Sequence, residues 1–157
     1  MYQNNRGYKY SQKYGGGNNK FNESNEKITC PLHEKYKDSE KLFLEDGIAH
    51  RFAKTFVKNG ITSHQLRKIL DQSKICEQIV KRNQNNYGEA RKRLFSLLPL
   101  AAYNAGRESK LKPLYKFLSE HVNEKTITCI EDIDMFDDLF TSIVAYHKFE
   151  FEEKKSC

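Results

Sequence analysis

Apolar residues recur every three or four positions through most of this chain, and this spacing is the feature that most constrains its fold. The row Leu44, Ile48, Phe52 and Phe56 is typical of one face of a helix, and it runs toward Gly60, a candidate C-cap. No segment shows the sustained alternation of apolar and polar residues that a half-buried strand requires. The pattern therefore predicts an all-α protein.

Four further helices are predicted downstream. Residues 62–65, Thr-Ser-His-Gln, have the form of a capping box and begin the second helix. The third is expected from near Tyr87 to about Arg107, with a kink or break at Pro99 because proline removes a backbone hydrogen bond. The fourth spans roughly residues 110–122, and the fifth follows a second capping-box pattern at residues 128–131. A single compact bundle of about five helices is the simplest architecture.

The first part of the chain has a different composition. Residues 1–37 contain tyrosines that alternate with basic residues, then three consecutive glycines, and almost no aliphatic residue before Ile28. Such a segment cannot bury enough apolar surface to offset the entropy lost on ordering its backbone. We therefore predict a flexible basic tail over residues 1–37 and a folded helical domain over residues 38–157.

Charge is unevenly distributed along the chain. Residues 1–37 hold 7 basic and 3 acidic residues, residues 38–125 hold 17 and 10, and residues 126–157 hold 3 and 8. The resulting net charges are +4, +7 and −5, which together give the formal net charge of +6. This asymmetry favours a polyanionic partner, with nucleic acid as the leading candidate, for the basic part, and protein neighbours for the acidic end.

No catalytic constellation is recognised in the sequence. The 5 histidines fall in no nucleophile or metal motif, and the adjacent Asp137 and Asp138 point in different directions on a helix. Cys30 and His33 have metal-ligand spacing, but a structural zinc site needs four ligands and no second such pair appears, so we interpret them as incidental. The four scattered cysteines are expected to stay reduced. We predict neither enzymatic activity nor a metal or other cofactor.

Membrane insertion and secretion are not expected either. The longest nearly apolar run, residues 94–103, is interrupted by Ser96 and Pro99 and is far shorter than the roughly 20 residues of a membrane span. The first residues lack the apolar core of a secretory signal. We therefore expect a cytoplasmic protein with no membrane partner.

Three segments carry a family resemblance. Residues 61–70 read Ile-Thr-Ser-His-Gln-Leu-Arg-Lys-Ile-Leu, residues 98–107 read Leu-Pro-Leu-Ala-Ala-Tyr-Asn-Ala-Gly-Arg, and residues 140–148 read Phe-Thr-Ser-Ile-Val-Ala-Tyr-His-Lys. In this order and spacing they resemble stretches of the small subunit of the type III-A Csm CRISPR effector complex. The second segment departs from its relatives at Leu100, where they often have a lysine after the proline.

The resemblance implies a scaffold and RNA clamp without catalysis. Small subunits of this family stack in several copies beside the backbone subunits and flank the guide–target duplex, while other subunits cleave RNA and DNA. The implied partners are guide RNA and target RNA, the backbone and large subunits of the Csm complex, and further copies of this chain in a filament. Helical spacing and the matched segments together nominate the RNA-contacting residues Arg51, Lys54, Lys58, Arg67, Lys68, Lys74, Lys81 and Arg107.

Two other functions stay open on the residues alone. Residues 62–70 could begin the recognition helix of a helix-turn-helix DNA-binding regulator, with residues 52–60 as the preceding helix. Alternatively, the tyrosine-rich tail could serve a free-standing RNA-binding protein, because tyrosines stack on bases while basic side chains meet phosphates. A sequence-specific preference for duplex DNA would indicate the first, and loss of binding on deletion of residues 1–37 would indicate the second.

Overall fold

In the computed structural model, which describes residues 27–157, helices account for nearly all regular structure, and this part of the chain contains no strand. The all-α prediction is confirmed. Six helices have nine residues or more, because the third predicted helix is divided in two. Every helix among these residues is too short or too polar to cross a membrane. The α-helices are α1 (Leu32–Lys35), α2 (Ser39–Phe43), α3 (Ile48–Lys58), α4 (Ser63–Arg82), α5 (Tyr87–Phe95), α6 (Leu97–Arg107), α7 (Lys112–His121) and α8 (Ile130–Ser156).

The long helix α8 is the centre of the bundle, and α3 and α4 both pack along it. Aromatic rings fill the space between α3, α7 and α8. The ring of Phe117 on α7 has its centroid 4.8 Å from that of Phe52 and 5.9 Å from that of Phe140. Full burial of one such side chain stabilises the fold by about 1.5–3 kcal/mol. This aromatic cluster therefore joins α3, α7 and α8.

The first predicted helix begins later than its apolar row suggests. Leu44 lies between α2 and α3 and is 61% exposed, so it is not part of the buried stripe. The chain turns sharply here, with Asp46 at a φ of 57°. A Cβ atom on Gly47 would collide with the carbonyl oxygens of Lys41 and Leu44, so only glycine fits this turn.

The break near Pro99 is confirmed, and it falls at Ser96, between α5 and α6. Pro99 then lies in the first turn of α6, where its missing N–H would have had no helical partner. In a continuous helix its ring would clash with the carbonyl group of Phe95, four residues earlier. This clash explains why the break precedes the proline.

The turn from α3 to α4 follows the predicted signals. Gly60 has a φ of 75°, its N–H donates to the carbonyl of Val57 at 3.1 Å, and the N–H of Ile61 donates to the carbonyl of Phe56 at 3.0 Å. These are the two hydrogen bonds of a Schellman motif. Nε2 of His147, on α8, lies 2.8 Å from the carbonyl oxygen of Ile61. The turn is therefore fixed both to the end of α3 and to the central helix.

One capping box is confirmed and the other is shifted by one residue. The N–H of Gln65 donates to Oγ1 of Thr62 at 3.3 Å, and the N–H of Thr62 donates to Oε1 of Gln65 at 3.0 Å. At α8 the N-cap is Cys129, not Thr128, and the reciprocal carboxylate belongs to Asp132. The shift occurs because Oδ2 of Asp132 accepts from the N–H groups of both Thr128 and Cys129.

Residues 32–36, which composition assigned to the tail, pack in the core. Leu32 is 0% exposed and Tyr36 is 5% exposed. The N–H of Leu32 donates to the carbonyl of Thr126, and the hydroxyl of Tyr36 lies 2.5 Å from Nε2 of His121. Two apolar side chains one turn apart are enough to dock this segment, so the folded domain begins before residue 38. Residues 1–26 of the predicted tail lie outside the described residues.

Candidate nucleic-acid interface

The face of α4 that points away from α8 and α5 carries several cations. Arg67 and Lys68 are exposed in its first turns, and Arg82 is exposed at its last residue. Helical geometry places Arg82 between Arg67 and Lys68 around the axis, about 22 Å further along it. Lys58 is exposed at the end of α3, directly before the turn into α4. We call Lys58, Arg67, Lys68 and Arg82 the open basic face.

The cations of the open basic face are not paired with acidic side chains of the described part of the chain. Within residues 27–157, none of the four forms an ion pair with a carboxylate. The carboxylate of Asp71 is also exposed on this side of α4, four residues after Arg67, without pairing to it. Uncompensated cations keep their full attraction for an external anion.

Two nominated lysines on α4 instead form ion pairs, one with α8 and one within α4. Nζ of Lys74 lies 2.5 Å from Oδ2 of Asp137, and this hydrogen bond raises the pKa of Lys74. Nζ of Lys81 lies 2.5 Å from Oε1 of Glu77, which likewise raises its pKa. A seven-residue step drifts by about 20° on a straight helix, so the row that begins at Arg67 turns progressively toward α8.

The two nominated cations in the middle of α3 bind the turn that precedes it. Nζ of Lys54 lies 2.6 Å from Oδ1 of Asp46, and this hydrogen bond raises the pKa of Lys54 and lowers that of Asp46. Nε of Arg51 donates to the carbonyl oxygen of Asp46 at 2.9 Å. These contacts stabilise the left-handed residue at the start of α3, and both cations are therefore already engaged.

Arg107 lies on a separate surface, at the end of α6. Its guanidinium carbon is 5.7 Å from the centroid of the Tyr103 ring, one turn earlier. Tyr103 is 63% exposed and Leu100 is 54% exposed, so the outward face of α6 is apolar with Arg107 at its end. Because α6 packs mainly on α7 and α5, this face is distinct from that of α4.

Arg82 is the member of the open basic face that sequence reasoning missed. A seven-residue row from Arg67 selects Lys74 and Lys81 and passes over it. With 100° of rotation per residue, Arg82 lies about 155° around the helix axis from the middle of the buried apolar stripe Leu66, Ile69, Cys76 and Val80, whereas Lys81 lies only about 105° from it. The position nearly opposite the apolar stripe was the available signal for Arg82.

A second group of chemically active side chains lies at the start of α8. Nδ1 of His33 is 2.8 Å from Oδ1 of Asp132, and Sγ of Cys129 is 3.3 Å from Oδ2 of Asp132 and 3.6 Å from Nδ1 of His33. Burial alone would raise the pKa of Asp132, but hydrogen bonds from His33 and Thr128 lower it to about 2. The sequence paired His33 with Cys30, whereas the fold brings His33 to Cys129.

The helices α3 and α4 do not have the arrangement of a DNA-binding pair. In a helix-turn-helix unit, two helices pack across one another so that the second can enter the major groove. Here each helix packs chiefly on α8, and neither is a main packing partner of the other. The tail-based alternative depends on residues 1–37, most of which lie outside the part that the structure describes.

The fold and this surface define a class of protein: a small helical bundle with an open cationic helix face. Two of the three segments that resemble the family, residues 61–70 and residues 140–148, contact each other in the bundle. Nε2 of His147 is hydrogen-bonded to the carbonyl oxygen of Ile61.

Comparison with protein families identifies the particular member of this class. The family model Csm2 Type III-A matches residues 39–153, and the chain belongs to this family. It is therefore a small subunit of a type III-A CRISPR complex, as the resemblance predicted. Searches of curated proteins and of solved structures found no match to the chain.

Proposed function

We propose that this subunit lines the RNA-binding channel of the type III-A complex, in several copies, and holds the guide–target duplex through phosphate contacts. The observation that carries the proposal is the open basic face, whose four exposed cations have no internal ion pair among the described residues. Two of them, Arg67 and Lys68, lie in one of the three segments that resemble the family. Guide pairing supplies sequence specificity, so the protein needs to recognise only the shape and phosphates of the duplex.

Internal pairing separates these cations from the others nominated by sequence. Recruiting Lys74 to a phosphate would leave the buried carboxylate of Asp137 without its cation, which costs free energy. Recruiting Lys54 or Lys81 would likewise break an existing ion pair. We therefore assign the principal RNA contacts to Lys58, Arg67, Lys68 and Arg82.

The outward face of α6 is assigned to a different contact. Exposed apolar side chains such as Leu100 and Tyr103 favour contact with protein. We place a neighbouring subunit on this face, either a further copy of this chain or another component of the complex. Arg107, at the end of the same face, then reaches RNA at the boundary between subunits.

The test is a double charge reversal in the reconstituted complex. Arg67→Glu with Lys68→Glu should weaken target RNA binding and reduce the slope of log K against log salt by about 0.7–0.9 for each phosphate that the subunit no longer neutralises. The matched control is Lys41→Glu with Lys155→Glu, which changes the net charge equally at exposed positions on α2 and at the end of α8. Equal effects of the two variants, with both subunits folded and assembled, would falsify the proposal.

A further inference from the structure

We propose that His33, Cys129 and Asp132 form a binding site for a divalent transition metal ion of the zinc class. His33 lies on α1, and the other two residues lie at the amino-terminal end of α8, so the site joins the first described helix to the last. One ligand atom from each residue falls within 4.8 Å of the other two. Imidazole nitrogen, thiolate sulfur and carboxylate oxygen are the donors that zinc takes from proteins.

The distances are close to those of a tetrahedral site. Zinc bonds of about 2.0–2.3 Å hold neighbouring ligand atoms about 3.3–3.6 Å apart. Sγ of Cys129 lies 3.6 Å from Nδ1 of His33 and 3.3 Å from Oδ2 of Asp132. The other carboxylate oxygen of Asp132, Oδ1, lies 2.8 Å from Nδ1 of His33, in a hydrogen bond that the ion would replace. The His33 side chain is 40% exposed, so its ring can rotate to admit the ion.

The carboxylate of Asp132 is held in place by hydrogen bonds to both of its oxygens. Its side chain is 0% exposed, and Oδ2 accepts from the N–H and the hydroxyl of Thr128, both at 2.8 Å, and from the N–H of Cys129 at 3.2 Å. Oδ1 accepts from the backbone N–H of His33 at 2.9 Å. Outer contacts of this kind orient metal-binding carboxylates and are part of the design of such sites. The exposed side of His33 leaves a path for the ion and a fourth position for water.

The thiol of Cys129 is the observation that favours a metal site over a purely structural helix cap. N-cap positions favour Ser, Thr, Asp, Asn or Gly, whose groups suit the free N–H donors of the first turn. Cys129 occupies this position on α8, although sulfur is a weak hydrogen-bond acceptor. The thiol must lose its proton to bind a metal ion, so binding at Cys129 releases that proton to solvent. A capping box and a His–Asp pair gain nothing from sulfur, whereas thiolate is one of the ligands that zinc prefers in proteins.

Cobalt titration of the full chain tests the site. The protein is stripped with a chelator, exchanged into chelator-free buffer and titrated with Co²⁺, whose spectrum reports tetrahedral geometry and thiolate bonding. One equivalent should produce visible d–d bands and a near-ultraviolet thiolate-to-cobalt band, and Zn²⁺ should displace them. Cys129→Ser should remove the thiolate band, His33→Ala should weaken binding at least about tenfold, and Cys157→Ser, an exposed thiol elsewhere, should change neither.

A stability measurement keeps the test independent of any folding defect. Zn²⁺ should raise the melting temperature of the wild type, because an ion that binds only the folded state stabilises it. His33→Ala should stay folded, since Asp132 keeps its Thr128 and Cys129 donors, and should lose the zinc-dependent increase. No thiolate band in the wild type, or a band and a melting increase unchanged by both site variants, overturns the assignment.

Discussion

The ammonium group of Lys74 lies 2.5 Å from Oδ2 of Asp137, which is 1% exposed, while the other carboxylate oxygen of Asp137 accepts a hydrogen bond from Ser73 at 2.8 Å. This pair joins α4 to α8 across the side of α4 next to the open basic face. Burying a carboxylate is costly unless it is paired, so the lysine has a structural task that is separate from any external anion.

Removing the lysine should therefore destabilise the fold. We expect Lys74→Ala to lower the free energy of unfolding by about 1–2 kcal/mol, because the buried carboxylate keeps only its Ser73 donor and the exposed ammonium group is partly screened. Lys81→Ala, which removes an exposed pair on the same row, should cost less than about 0.5 kcal/mol. Urea unfolding at neutral pH measures both, as shifts of the midpoint at constant slope. Equal losses would contradict the structural assignment of Lys74.

His121 makes stability depend on pH. Its side chain is almost fully buried, Nδ1 lies 2.8 Å from the carbonyl oxygen of Phe117, and Nε2 lies 2.5 Å from the hydroxyl of Tyr36. A carbonyl oxygen can only accept, so Nδ1 carries the proton of the neutral ring and Nε2 accepts from Tyr36. Protonation would bury a charge and oppose the Tyr36 donor. Burial therefore lowers the pKa of His121 to about 4.

The direction of the effect follows from the pKa values of His121 in the unfolded and in the folded chain. Between the ordinary histidine pKa of 6.5 and the folded value of about 4, the unfolded chain binds a proton that the folded chain excludes. Stability should therefore fall as pH decreases through this window, by up to about 3 kcal/mol from this residue. The free energy of unfolding of the wild type should decrease between pH 7 and pH ~4.5, and in His121→Phe this decrease should be smaller by the contribution of His121.

Tyr36→Phe is the matched control for this titration. It keeps the buried imidazole and removes only the hydroxyl that donates to Nε2. Its free energy of unfolding at pH 7 should fall by about 1–3 kcal/mol, while the decrease on acidification persists. A wild-type pH profile that His121→Phe leaves unaltered would rule out the proposed role of His121.

Two glycines should respond to alanine in opposite directions. Gly60 has a φ of 75°, and an added Cβ would meet nothing within 4 Å, so the whole cost of alanine is the left-handed backbone, about 1–2 kcal/mol. Gly88 is the second residue of α5 and has equally open surroundings, and alanine there should stabilise the protein by up to about 0.5 kcal/mol. Thermal unfolding of the two variants measures the signs. A stabilised Gly60→Ala would mean that the Schellman turn is not required.

Local signals in the sequence predict the local features of this fold. Gly60, the Thr62–Gln65 capping box and the break at Pro99 each depend on neighbours within a few residues, and all three are found where expected. The ion pairs are not predicted by local signals, because Lys74 and Asp137 are 63 residues apart in the sequence and His33 and Asp132 are 99 apart. Helical spacing identifies an exposed or border position but not the partner across the helix contact. For this reason the sequence nominated paired and unpaired lysines alike.

The last turn of α4 offers the sharpest comparison for RNA binding, because Lys81 and Arg82 are adjacent and carry the same charge. Arg82 belongs to the open basic face, whereas Nζ of Lys81 is held 2.5 Å from Glu77. If phosphate contact matters, Arg82→Ala should weaken RNA binding by the assembled complex and reduce its salt slope by about 0.7–0.9. Lys81→Ala should have a clearly smaller effect on both quantities.

Comparing Arg82→Ala with Lys81→Ala tests whether a loss of RNA binding is explained by net charge alone. Each substitution removes one positive charge from the same end of the same helix, so a response to overall charge would be equal for the two variants. Filter binding at several salt concentrations, with complex assembly checked by size-exclusion chromatography, provides both affinities and slopes. A larger loss for Arg82→Ala supports a defined contact, because only that side chain can reach a phosphate without breaking an ion pair. Equal losses would instead reduce the open basic face to a diffuse electrostatic attraction.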